Sequence, residues 1–178
     1  WPNLVAILAA DTGGFRIYGE KLRPFLDSGS EEKIPIYSAI YAATEGLLGV
    51  NTDVEAKSYV LHPRAMFFEF LPEERSHNSG APPTELKTLF LEQLEPGKCY
   101  ELIITNLTGL YRYRFGDVVR CVGYEGEAPI VEIAYRKGQF LNARGERYSE
   151  EDFYKALRRT ADLHWRRELV EYACVEFY

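Results

Sequence analysis

From residue 58 to residue 135 the chain reads as a succession of short β segments cut by turn residues. That pattern limits the fold more than any other property of the sequence. Segments 58–61, 65–71, 86–91, 100–106, 110–115, 118–124 and 129–135 are rich in β-branched and aromatic residues, which suit a half-buried pleated surface. Glu95-Pro96-Gly97, Thr108-Gly109 and Glu125-Gly126 separate them as turns. The texture is that of an antiparallel sheet. Residues 72–83, polar and rich in Pro, Ser and Gly, read as a loop within it.

The flanks read differently. Residues 4–10 are a continuous apolar run, the pattern of a strand buried on both faces in a parallel sheet. Asp11-Thr12-Gly13-Gly14 turns the chain into a helix over residues 17–26, and a second strand follows over 34–41. Strand, helix and strand at this spacing form a βαβ unit, right-handed by default. The unit delivers Tyr41-Ala42-Ala43-Thr44-Glu45 at the carboxyl end of its second strand, where open α/β sheets bind ligands. After residues 138–145 a capped helix is expected. Ser149 is its N-cap, Asp152 reaches back to the cap, and Tyr148 and Phe153 stand at the spacing of a hydrophobic staple. Phe153, Ala156, Leu157, Ala161 and His164 are expected on its inner face, His164 half-buried, with Arg158, Arg159, Arg166 and Arg167 at its carboxyl end. A last strand is expected over 169–178. The fold class is thus a mixture of α/β and α+β, with a domain boundary near residues 138–145.

Composition excludes several functions. A net charge of −6 over 178 residues leaves no basic excess to neutralise phosphates, so nucleic acid is not an expected partner. Cys99, Cys121 and Cys174 are widely spaced and form no ligand pattern with His62, His77 and His164. They read as reduced thiols from a reducing compartment. No run approaches the ~20 apolar residues that cross a bilayer, so no membrane span and a cytoplasmic address are expected. The chain starts on Trp1-Pro2 and stops on what reads as mid-strand, so a piece of a longer protein is expected.

The chemistry concentrates in residues 109–120. Aromatic and basic side chains alternate there, with Tyr111, Tyr113 and Phe115 on one side and Leu110, Arg112 and Arg114 on the other. The alternation breaks at Gly116 and presents Asp117. A lone, backbone-anchored carboxylate suits the two hydroxyls of a ribose, and it also suits a turn that merely ends a strand. Asp11-Thr12-Gly13 matches the signature of aspartic proteases as well. That chemistry needs two carboxylates sharing a proton, and the sequence holds no second copy of the triplet.

Taken together, residues 41–51 (Tyr41-Ala42-Ala43-Thr44-Glu45-Gly46, then Leu48-Gly49-Val50-Asn51) and residues 100–119 resemble the adenylate-forming superfamily. Within it the chain is most similar to the Gretchen Hagen (auxin-responsive) family of acyl acid–amido synthetases and its animal relatives. Tyr135-Arg136 and Gly145-Glu146-Arg147 add a weaker third element. The resemblance implies the back half of a large domain over residues 1–137, its βαβ portion followed by an antiparallel, barrel-like subdomain. A hinge over 138–146 and the start of a small α+β domain over 147–178 would follow. It also implies ATP or AMP and Mg²⁺ as ligands. Tyr41 would pack against adenine, Thr44 would touch phosphate, Glu45 would hold Mg²⁺, and Asp117 would hold the ribose. Arg136 would contact the nucleotide from the hinge. The implied reaction is adenylation of a carboxylic acid followed by amide formation with an amine or amino acid. The family's upstream phosphate loop and downstream lysine are absent here, so the chain alone is expected to be inactive. A non-catalytic acyl-adenylate-binding or scaffold protein on the same fold is the alternative.

Overall fold

The alternating segments build one seven-stranded sheet. The computed structural model describes residues 3–12, 15–26, 33–76, 86–137, 141–143, 146–148, 150–167, 169 and 172. The chain divides into two units, Trp1–Tyr135 and Arg136–Tyr178.

In the first unit, β1 (Ile7–Leu8) leads to α1 (Arg16–Leu26), and β2 (Ile36–Tyr37) returns to pair parallel with β1. This is the expected βαβ unit, in shortened form. Gly19 allows α1 to approach the turn after β1. A Cβ there would stand 1.9 Å from Oδ1 of Asp11, whose other oxygen takes Nζ of Lys57 at 2.5 Å. The apolar run 4–10 is not buried on both faces as expected. Val5 and Leu8 are 83% and 73% exposed, because the described residues supply a single neighbouring strand.

The main sheet comprises β3 (Ile40–Ala43), β4 (Gly46–Val50), β5 (Tyr59–Leu61), β6 (Phe67–Pro72), β7 (Cys99–Thr105), β8 (Tyr113–Glu125) and β9 (Ala128–Arg136). Its order is β3-β4-β5-β9-β8-β7-β6. A single strand was expected over 34–41. The chain instead leaves β2 and enters a second sheet at β3, so Thr44 and Glu45 form the turn of the antiparallel β3–β4 hairpin rather than the end of a parallel strand. The expected strand over 86–91 reduces to one bridge, Leu89 to Phe70, before a 3₁₀ turn at Leu91–Gln93. Gly116 does not end a strand. β8 runs through it unbroken, because glycine adopts the required φ of +93° without strain.

One face of the sheet forms the core, from Tyr41, Leu48, Tyr59, Phe68, Phe70, Tyr100, Leu102, Ile104, Phe115, Val119 and Val131. Period-two alternation puts Glu69 and Glu101 on the opposite face. Short α2 (Glu73–Ser76) reaches Glu101 there through the Ser76 hydroxyl, and Arg114 donates to both oxygens of Glu101 at 2.8 and 2.7 Å. The sheet is strongly curled. β3 and β8 are four strands apart in the order, about 19 Å if flat. Yet Tyr41 on β3 hydrogen-bonds Asp117 on β8 at 2.6 Å. The shape is barrel-like, and among the described residues β3 and β6 remain its edges.

The second unit holds a hairpin of β10 (Leu141–Ala143) and β11 (Glu146–Tyr148), then α3 (Glu150–Thr160), which widens into a π turn at Ala161–Trp165. Tyr154 and Ala161 are buried, and Tyr172 stacks on Tyr154 at 5.8 Å between ring centres. Ala156 and His164, both expected on the inner face, are exposed; the buried positions are Tyr154 and Ala161. Ser149 and most of the expected last strand lie outside the described residues.

Candidate functional site

The β3–β4 turn and the β7–β8 connection meet at one end of the curled sheet. Asn106, just after β7, joins them. Its side-chain NH₂ donates to the Glu45 carbonyl at 3.0 Å. Its side-chain oxygen accepts from the backbone N–H of Thr108 and Leu110 and from the Thr108 hydroxyl. One asparagine therefore sets the shape of the connection and fixes it to the Thr44–Glu45 turn. The sequence reading placed Asn106 in a motif without giving it a role. The run Asn106-Leu107-Thr108-Gly109 carried the signal, since Asn hydrogen-bonding to the backbone two residues on is a common turn device.

Beneath this junction lies a buried aromatic and polar cluster. Tyr41 is 5% exposed, with its ring 5.5 Å from that of Tyr59 and 6.5 Å from that of Phe115. The Tyr41 hydroxyl donates to Asp117, itself 6% exposed. Tyr59 carries the cluster to the βαβ portion, because its hydroxyl bonds those of Ser38 and Thr12, each at 2.8 Å. Thr12 and Asp11 thus hold structure at the end of β1. The ion pair of Asp11 with Lys57 occupies the carboxylate that a protease reading would need.

Asp117 shares the core face of β8 with Phe115 and Val119 by alternation, and the ladder beside it is irregular. Tyr113 and Arg114 pair with Ile104 and Ile103, and the next pair in register is Val118 with Glu101. Three residues of β8 therefore oppose Leu102 alone. Phe115 and Asp117 thus both stand opposite Leu102 on the core face, and both reach Tyr41. The alternation expected from 110 to 115 starts only at Tyr113, because Arg112 adopts a left-handed φ of +46°.

The residues singled out by sequence fall as follows. Tyr41 and Asp117 are brought together. Thr44 and Glu45 share the exposed turn, with the Thr44 hydroxyl donating to Glu45 at 2.8 Å. Arg136 ends β9, exposed, in the second unit. Among the described residues, no three of His, Cys, Asp and Glu gather as a metal cluster. Glu45 stands as a single carboxylate at that turn, and a hard cation such as Mg²⁺ needs only one or two of these when water and phosphate complete its shell.

Residues 59–136 match the GH3 family central domain. The chain carries a GH3 central domain. It is 34% identical, over 92% of its own length, to indole-3-acetic acid-amido synthetase GH3.4 of Arabidopsis thaliana, of which it covers 27%. It is 35% identical over 99% of its length to a GH3 domain-containing protein of Homo sapiens, of which it covers 32%. Its fold matches that of the GH3.15 acyl acid amido synthetase with a TM-score of 0.73, at 29% identity, over 92% of this chain and 27% of that one. The chain therefore spans less than a third of the length of the GH3 proteins it matches. Five of the seven strands, β5 to β9, lie within the matched residues, with Asp117 among them; β3, β4 and the turn at Thr44 and Glu45 lie ahead of them.

Proposed function

We propose that the protein carrying this chain is an ATP-dependent acyl acid–amido synthetase, and that residues 41–117 supply part of its nucleotide site. The observation that carries this reading is the junction of two distant segments. Asn106 holds the Glu45 turn, and Tyr41 holds Asp117, at one end of the sheet. An ionised carboxylate has about four lone-pair positions, so Asp117 can accept the Tyr41 hydroxyl and still accept from a ribose. Tyr41 packs against the base, with the buried rings of Tyr59 and Phe115 behind it. Glu45 and Thr44, at an exposed turn, face phosphate. Mg²⁺ bound there offsets the charge that gathers on the phosphates. Arg136, the last residue of β9, is a further candidate for nucleotide contact. The domain assignment follows: residues 1–137 belong to the large domain, 138–146 to a hinge, and 147–178 to the opening of a small domain.

The reaction has two steps. An oxygen of the acid's carboxylate bonds the α-phosphorus of ATP while the bond to the bridging oxygen breaks and pyrophosphate leaves. An amine then bonds the acyl carbon, loses a proton, and expels AMP. Positioning and electrostatics dominate such chemistry. The free thiols Cys99 and Cys121 fit a reducing, cytoplasmic setting. No helix of the described residues is long and apolar enough to cross a membrane.

The test is acid-dependent exchange of labelled pyrophosphate into ATP by the full-length protein, over aryl, indole and fatty acids. Exchange with one acid class that disappears in Asp117→Asn supports the synthetase. Nucleotide binding without exchange for any acid favours the second reading, a non-catalytic binding or scaffold protein. The burial of both Tyr41 and Asp117, which gives the pair a purely structural use, is the observation on that side.

A further inference from the structure

Arg112 has a left-handed backbone, which crowds the Cβ of any residue but glycine. Its surroundings account for the conformation. The Arg112 N–H donates to the Thr105 hydroxyl at 3.0 Å. Nε donates to Oε1 and Oε2 of Glu69 at 3.1 and 3.0 Å, and Nη2 donates to Oε1 at 2.8 Å. Nη2 also reaches the Leu86 carbonyl at 3.1 Å and the Thr88 hydroxyl at 3.2 Å, and Thr88 itself donates to Glu69 at 2.7 Å. The two charged side chains are only 15% and 9% exposed. A buried fork–fork pair of this kind has one geometry, unlike a solvated pair.

The clamp stands directly upstream of the bulge. Beyond it β8 makes two ladder pairs, Tyr113 and Arg114, and then carries three residues against one. Downstream the ladder is regular from Val118 to Arg120. A bulge is held by its flanks rather than by its own ladder bonds. The upstream flank is short. Without an anchor, the surplus residues can slide toward the 106–110 connection, and a one-residue slip turns a side chain to the opposite face.

We infer that Arg112 is a positioning residue for the nucleotide: its ion pair with Glu69 anchors the upstream flank of the β8 bulge and so fixes the Asp117 carboxylate where it meets the ribose hydroxyls. This rests on the reading of Asp117 given above. Arg112 touches no nucleotide and acts only through Asp117. Its loss therefore weakens ligands that carry ribose hydroxyls and spares those that lack them.

The experiment measures dissociation constants of ATP and 2′,3′-dideoxy-ATP for the full-length protein by calorimetry. The variants are Asp117→Asn, Arg112→Lys and the double variant Glu69→Gln with Arg112→Gln, which leaves no buried charge alone. Wild type is expected to favour ATP over the dideoxy compound about tenfold, and both Arg112 variants to lose that preference with dideoxy binding unchanged. In an Asp117→Asn background the Arg112 substitutions should change neither constant. If Asp117→Asn removes the preference while the Arg112 variants keep it, the ribose role stands and the positioning role falls. Equal weakening of both ligands by the Arg112 variants also overturns it. If wild type shows no preference, or binds no ATP, the role of Asp117 falls and this inference with it.

Discussion

Replacing Tyr41 by Phe removes one oxygen from a buried pair and little else. The ring keeps its place between Tyr59 and Phe115, so neither burial nor ring contacts change. What disappears is a 2.6 Å hydrogen bond to a carboxylate that is 6% exposed. Bonds to charged groups contribute about 1.5–3 kcal/mol, and at this depth water does not readily take the hydroxyl's place. The expected loss is about 2 kcal/mol. With a urea dependence of about 2 kcal/mol per molar, the unfolding midpoint drops by about 1 M. Equilibrium urea unfolding followed by far-ultraviolet circular dichroism measures this. Asp117→Asn with Tyr41→Phe completes a double-mutant cycle, in which a coupling of about 1 kcal/mol or more is expected. A midpoint for Tyr41→Phe within about 0.2 M of wild type corresponds to under about 0.5 kcal/mol and would refute the assignment of this bond as the link between β3 and β8.

Three further outcomes follow from the geometry. Arg114→Met removes the bidentate partner of Glu101, which is 2% exposed, and should cost about 3–5 kcal/mol in the same assay. Adding Glu101→Leu should recover much of that loss, and no recovery would count against the ion-pair argument. Gly19→Ala gains about 1 kcal/mol of helix propensity but places a Cβ 1.9 Å from an Asp11 oxygen held by Lys57. Overpacking of about 1–3 kcal/mol should outweigh the gain, and a stabilised variant would show that Asp11 yields freely. Burial pushes the Cys99 and Cys121 thiols above their ordinary value of 9.0, and burial with the neighbouring Glu73 pushes Tyr135 up as well. These groups are raised in the folded state, so their contribution is intact below about pH 9 and is lost as pH climbs from there through the folded values. Urea midpoints at pH 7, 9 and 10.5 should therefore fall in that order, and a midpoint constant across the series contradicts it.

Much of the architecture was legible because it follows from local periodicity. Alternation and turn residues located β5, β6, β7 and β9 to within a few residues, since each strand has one core face and one polar face. The helix over 17–26 appears as α1 for the corresponding reason, an apolar stripe at helical spacing. Three errors share a cause. The apolar run 4–10, the strand over 34–41 and the break at Gly116 all required knowing which neighbour a segment pairs with, and periodicity carries no information about partners. At the candidate site, Asp117 stood out by residue type, and Tyr41, Thr44 and Glu45 through the family resemblance. Asn106 and Glu69 did not, because an Asn before a turn and an alternating Glu on a strand are ordinary until their partners are known.

The sequence by itself determined an antiparallel sheet preceded by a βαβ unit, and two motif-bearing segments some seventy residues apart. Only the tertiary structure decided that these segments touch. The curl of seven strands brings β3 onto β8, where the Tyr41 hydroxyl meets Asp117 on the core face. The physical reason is that alternation sets which face a residue occupies, whereas curvature and register depend on pairings summed over the whole sheet. Those pairings are long-range properties, and no single segment encodes them.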